Sequence, residues 1–215
     1  MSKRWIICGV VWSLLCVAVE VYMARLEGLA HLLWFSHLGM IASAVLWWWP
    51  QRVAVSTLAV AVLLPELVWT LDFTLGLPFG GSLSGATAYM WNERIPQTFR
   101  LVSLFHIPLP AVIWLLLRRS GYDWRGLPGA VAVSLVVLPA SWVLSTDWTN
   151  INWTHNFDEA GAGLPSPWQL ALVMVALPVA VYLPSHLGFS LIERRWPVAT
   201  RGAGGSNHQP THDAD

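Results

Sequence analysis

Six apolar stretches dominate this sequence: residues 5–24, 29–49, 53–73, 99–117, 127–144 and 167–192. Each is long enough to cross a hydrocarbon layer of ~30 Å as a helix. In lipid every backbone N–H and C=O must be bonded within the chain, so stretches of this kind fold as helices. The composition agrees: 55% of residues are hydrophobic and 11% are charged, whereas soluble domains carry about a quarter of their residues as charges. The expected fold class is all-α, a polytopic integral membrane protein with six transmembrane helices. The expected division is a six-helix transmembrane domain over residues 1–196 and a disordered, Gly- and polar-rich tail over 197–215.

The first stretch has a basic head, Lys3 and Arg4, as a signal peptide would. It runs to about 20 apolar residues and no small-residue cleavage pattern follows it, so it reads as a retained first helix. Lys3, Arg4, Arg52, Arg118, Arg119, Arg125, Arg194, Arg195 and Arg201 fall at one set of ends, and only Arg25, Arg94 and Arg100 at the other. The positive-inside rule then places both termini in the cytoplasm. The 12 basic and 12 acidic residues balance, which leaves no field to attract nucleic acid. The expected partner is membrane lipid, and no protein partner is readable. Cys8 and Cys16 both lie in the first stretch, so no extracellular disulfide framework is expected. The 15 tryptophans, Trp47, Trp48 and Trp49 among them, fit interfacial belts.

Polar residues gather toward the outer ends. His37 lies about 12 Å inward from the start of its stretch and His106 about 10 Å, at 1.5 Å per residue. Glu66 sits at comparable depth, with Asp72 nearer the surface. Ionisable groups inside apolar helices are rare and face a cavity or each other, so Glu66 and His106 are expected to line a shared polar cavity in the outer half. Arg100, Ser103 and His106 form one helical stripe, and Ser13, Cys16 and Glu20 another. Glu20, Arg25, Glu27 and His31 read as a solvated edge, and His186 as interfacial at the inner end. Pro65, Pro108 and Pro110 would free backbone groups beside the cavity. The outer loop between the third and fourth long apolar stretches has the Gly, Pro and aromatic content of a segment folded back on the membrane face. Asn152-Trp153-Thr154 has the form of a glycosylation sequon.

Three chemistries fit these residues. One is nucleophilic catalysis on a lipid, with Ser36 as nucleophile, His106 as base and Glu66 or Asp72 orienting the imidazole. The second is a metal site built from His37, His106 and Glu66. The third is a transport or assembly role in which buried polar groups fix helix packing. The first is preferred, with catalytic residues Ser36, His106 and Glu66. His37, Asp72, Arg100 and Asn152 are then the substrate-binding candidates, Arg100 meeting a lipid phosphate or carboxylate. No metal and no cofactor is assigned.

The segments "LLWFSHLGM", "LLPELVWTLDF", "FRLVSLFHIPLP" and "TDWTNINW", in this order, resemble a bacterial family of uncharacterised integral membrane proteins. That resemblance implies a multi-pass protein of the bacterial inner membrane. More remotely, the order of a small nucleophile, a histidine two helices later and an Asn-containing outer loop is similar to a six-helix superfamily. Its members include the androgen-induced and androgen-dependent membrane hydrolases of fatty-acid esters and a plasmalogen acyltransferase group. They pair a threonine or cysteine with a membrane-embedded histidine. The likeness implies Ser36 as nucleophile and His106 as base, with serine in place of threonine or cysteine and His37 following it.

Overall fold

A computed structural model describes residues 2–146, 149–156 and 166–197, and among these all regular structure is helical. Five helices are long and apolar enough to cross a membrane. They are α1 (Lys3–Glu27), α3 (Arg52–Phe79), α4 (Gln97–Ser120), α5 (Gly126–Leu144) and α6 (Pro167–Arg195). Between α1 and α3 runs the shorter apolar helix α2 (Phe35–Trp48). Residues 198–215 of the expected tail, and Asp147, Trp148 and residues 157–165 of the last loop, lie outside the described residues.

The stretch over 29–49 is not one helix. Gly28, at φ 72°, ends α1 and turns the chain into a 3₁₀ segment, Leu29–Leu33. Trp34 is extended (φ −60°, ψ 131°), and only then does α2 begin. Apolar content measures burial and cannot register such a break.

Helix α3 is the most buried of the membrane-length helices and packs against α2, α4, α5 and α6. Its close approach to α5 depends on glycine: a Cβ at Gly126 would lie 2.8 Å from the Ser56 carbonyl carbon. Small residues let backbones meet where lipid supplies no hydrophobic drive between helices. Helix α1 packs on α2 and presents Ile7, Val11, Leu14 and Val17 outward, as a lipid-facing side requires.

Two membrane helices change pitch at corresponding points. In α3 a π-helical segment, Ala59–Leu63, precedes Leu64-Pro65. In α6 another, Leu177–Tyr182, precedes Leu183-Pro184. A proline lacks an N–H, and its ring crowds the carbonyl one turn back. A wider turn relieves that crowding. Helix α4 instead tightens to 3₁₀ over Ser103–His106, directly before Pro108.

Of the tryptophans at the end of α2, Trp49 is 70% exposed, as a belt residue would be, but Trp47 and Trp48 pack into the protein. Trp47 is 2% exposed, stacks on Trp5 at 3.9 Å and donates to the Trp5 carbonyl at 3.1 Å. Trp48 Nε1 donates to Ser13 Oγ at 3.0 Å, and Trp12 Nε1 to Ser43 Oγ at 3.1 Å. An indole buried between helices must bond its N–H, and these three bonds stitch α1 to α2.

Candidate functional site

Glu66 and His106 do meet. Glu66 enters directly after Pro65, one turn beyond the π segment of α3, and is 4% exposed. His106 closes the 3₁₀ turn of α4, where three residues per turn bring it over Ser103. His106 Nδ1 donates to Glu66 Oε2 at 2.6 Å. That bond fixes the proton on Nδ1 and leaves Nε2 as the lone-pair nitrogen. Among the described residues nothing bonds to Nε2, and the imidazole keeps 13% of its surface exposed.

Aromatic rings hold the imidazole in plane. Trp69 stacks on it at 4.5 Å and 18°, and Phe105 at 4.2 Å and 23°. Trp69 Nε1 donates to the Tyr89 hydroxyl at 3.2 Å. Burial pushes the Tyr89 hydroxyl up to about 12, so it stays neutral. Tyr89 belongs to a 3₁₀ turn, Ala88–Trp91, of the loop between α3 and α4, and the loop does fold back onto the helices.

Asp72 explains how the loop is held. Its Oδ1 accepts from the amides of Leu83 (2.9 Å) and Ser84 (2.6 Å). Its Oδ2 accepts from Ser82 Oγ (2.6 Å) and from the amide (3.0 Å) and hydroxyl (2.5 Å) of Thr87. A carboxylate offers about four lone-pair sites. Asp72, assigned to substrate from sequence, is saturated by its own loop.

Asn152 is likewise occupied. It is 4% exposed and sits at φ 55°, in the left-handed region that Asn tolerates. Its Oδ1 accepts from Phe35 N at 3.1 Å, at the start of α2. Its Nδ2 donates to Leu33 O (2.8 Å) and Ser141 Oγ (2.9 Å). The side chain ties the loop after α5 to α2 and α5, and no free amide remains for a substrate or a glycan.

Ser36 and His37 separate. His37 turns inward, 5% exposed, and its Nδ1 meets Glu20 Oε1 at 3.0 Å. Adjacent residues on a helix point about 100° apart, so Ser36 is directed elsewhere. Among the described residues its hydroxyl makes no side-chain hydrogen bond, and none joins it to His106. The metal set of His37, His106 and Glu66 does not converge either: Phe105 lies between the two imidazoles, 5.1 Å from His37 and 4.2 Å from His106.

A second polar cluster was missed in the sequence. His31, read there as a solvated edge, is 1% exposed, and its Nε2 lies 2.9 Å from Glu20 Oε2. One carboxylate of α1 thus holds two imidazoles. Its signal was the Ser13, Cys16, Glu20 stripe, which faces α2. His186, in the C-terminal half of α6, pairs with the Tyr122 hydroxyl at 2.6 Å.

Beside the Glu66–His106 pair lies a groove of about 350 Å³ with apolar walls from Phe73, Leu77, Leu101 and Leu104 and polar residues Glu93, Gln97 and Arg100. Phe73, in the groove wall, stacks on Trp69, which stacks in turn on the His106 ring; Glu66 and His106 themselves do not line the groove. Arg100, half-buried, donates from Nη1 to Met90 O at 3.2 Å. No family model, curated protein or solved structure matches the chain.

Proposed function

We propose that this protein is a membrane-embedded enzyme that cleaves or transfers an acyl ester of a lipid in the outer half of the bilayer. Glu66 and His106 serve as its carboxylate-oriented general base. The observation that carries the reading is the 2.6 Å bond from His106 Nδ1 to Glu66, with Nε2 left unbonded. A base held this way presents its lone pair to a reacting hydroxyl, and the carboxylate stabilises the imidazolium that forms. Nε2 takes the proton of a water, for hydrolysis, or of a lipid hydroxyl, for transfer. The freed oxygen attacks the acyl carbonyl, and the imidazolium returns its proton to the departing alcohol. The groove at Arg100 has the size of a small-molecule site. Its apolar walls and guanidinium suit an acyl chain with an anionic head. The likeness to six-helix fatty-acid-ester hydrolases implies the same substrate class and the same base, though with Ser36 as nucleophile. Ser36, which makes no bond to His106, is not required; a water or lipid hydroxyl at Nε2 suffices.

The same reading takes the chain as six-spanning, with both termini on the basic, cytoplasmic side of a cell membrane. Helix α2 has 14 residues and the preceding 3₁₀ segment has five. At about 1.5 and 2.0 Å per residue they sum to roughly 30 Å, the thickness of the hydrocarbon core.

A non-enzymatic transport or assembly role is favoured by one observation: Asp72 and Asn152 spend their hydrogen bonds inside the protein. Purified full-length protein incubated with fluorogenic fatty-acid esters and with mixed phospholipid vesicles separates the two. Folded His106→Asn and Glu66→Gln variants should lose roughly 10²–10⁴-fold in rate, the range for a general base, while Ser36→Ala keeps its rate and a fluorophosphonate probe does not label the chain. Loss of activity and labelling in Ser36→Ala would restore the serine as nucleophile. Absence of turnover in the wild type, or an unchanged His106→Asn, would leave the non-enzymatic role.

A further inference from the structure

The cluster of Glu20, His31 and His37 lies apart from the acyl-transfer reading and is built differently. Its ligand atoms all lie within 4.8 Å of one another. They come from three successive elements: α1, the 3₁₀ segment and α2. His31 is the informative member. Its Nδ1 lies 2.5 Å from the Gly28 carbonyl, and a carbonyl only accepts, so Nδ1 carries the hydrogen. The Nε2 lone pair of a neutral ring then faces Glu20 Oε2 at 2.9 Å. Two lone-pair atoms this close, buried together, require an electrophile between them.

We propose that this electrophile is a divalent transition-metal ion of the zinc class, held by His31 Nε2, His37 Nδ1 and the Glu20 carboxylate. Two imidazoles and one carboxylate are the protein ligands of a well-known kind of zinc site, which leaves a fourth position open. Imidazole donors select transition ions over magnesium and calcium, which prefer all-oxygen shells. Zinc bonds of ~2.0–2.1 Å set tetrahedral donor atoms about 3.3 Å apart, a few tenths beyond the 2.9 and 3.0 Å separations here. The Gly28 carbonyl is the outer partner that a metal-binding histidine ordinarily has, fixing tautomer and ring plane. Gly28 also has φ 72° and ψ −173°, a conformation reserved for glycine, and that turn carries His31 back to Glu20. The carboxylate, 13% exposed, is the most open of the three side chains, against 0% for His31 and 6% for His37.

The test is metal content and cobalt uptake of the full-length, untagged chain in detergent. Elemental analysis of the protein purified without chelator should find one transition ion per chain. After stripping, Co²⁺ should restore one equivalent with visible d–d bands, and X-ray absorption should report an all-N/O shell with two imidazoles. His37→Gln and Glu20→Gln, each checked for monodispersity, should lose stoichiometric cobalt, while His106→Asn keeps it. A wild-type chain that takes up no cobalt overturns the site and leaves a proton as the bridge. So does a shell with fewer than two imidazoles, or uptake unchanged in His37→Gln. Because Glu66 and His106 are not ligands, failure here leaves the acyl-transfer reading intact, and failure of that reading leaves the metal result standing.

Discussion

The amide of Phe35 donates to Oδ1 of Asn152 at 3.1 Å, across 117 positions of sequence. A loop side chain thereby supplies the N-terminal cap that helix α2 does not carry itself, since Trp34 offers no capping oxygen. Asn152→Ala should cost about 1–2 kcal/mol from the lost cap, with the strain of a left-handed residue added. Asn152→Asp should cost more, because an oxygen then faces the Leu33 carbonyl where an amide had donated. Thermal unfolding in detergent reads both, and an Asp variant as stable as wild type contradicts the account.

Asp72 gathers donors from Ser82, Leu83, Ser84 and Thr87. Asp72→Ala should free these amides, so hydrogen exchange at Leu83, Ser84 and Thr87 is expected to accelerate by roughly tenfold or more. Exchange in α5, which gives Asp72 none of these hydrogen bonds, should stay as in wild type. Unchanged protection of the loop would show that something else holds it.

Breaking a buried carboxylate–imidazole hydrogen bond from one side leaves an uncompensated polar group. Glu66→Ala, which strands the ring N–H, should destabilise by about 1–3 kcal/mol, and His106→Ala, which strands the carboxylate, by about 3–5 kcal/mol. The double variant should fall short of their sum by about 0.5–3 kcal/mol, the coupling expected of contacting residues. Additive losses in denaturant titrations would mean that the two groups act separately.

Gly9 faces the Trp47 indole so closely that a Cβ there would overlap it. Gly9→Ala should cost about 1–3 kcal/mol by overpacking, and Trp47→Leu added to it should recover part of that loss. The pair is read by melting temperature, with a double variant worse than either single as the contrary result.

Asp123, in the loop between α4 and α5, is held down to about 2, chiefly by its hydrogen bonds to Arg125. A carboxyl lowered from its ordinary 3.8 in the folded state contributes stability above pH 3.8 and loses it as pH falls through 2. The melting-temperature gap between wild type and Asp123→Asn should be constant above about pH 4 and close between pH 4 and pH 2. A gap that does not move over that interval removes Asp123 as its source.

Depth along an apolar stretch is countable, and that is why the meeting of Glu66 and His106 was readable from residue positions alone. Direction around a helix axis is not countable without knowing what lies opposite. Ser36 and His37 share a depth, and the choice of His37 as the inward member follows from Glu20 on α1. His31 was misread because depth fails across a turn: Gly28 folds the chain so that an edge residue is carried under α1. Asp72 and Asn152 carried the right residue types for ligand binding, but their partners are main-chain groups, which sequence hides. Trp47 was misassigned for a similar reason, since an interfacial indole and a buried one look alike until the Trp5 carbonyl comes into range.

The wide turn over Ala59–Leu63 works as a crank in α3. Below it, phase is dictated by Ser56 fitting the glycine of α5; above it, by the carboxylates of Glu66 and Asp72. A wide turn of this kind holds about one residue more than an α turn covering nearly the same rotation, so excising a single alanine from it would tighten the helix to α while Glu66 and Asp72 kept close to their present facing and the lower seam stayed closed. The extra residue is thus stored where neither half of the helix has to turn to accommodate it.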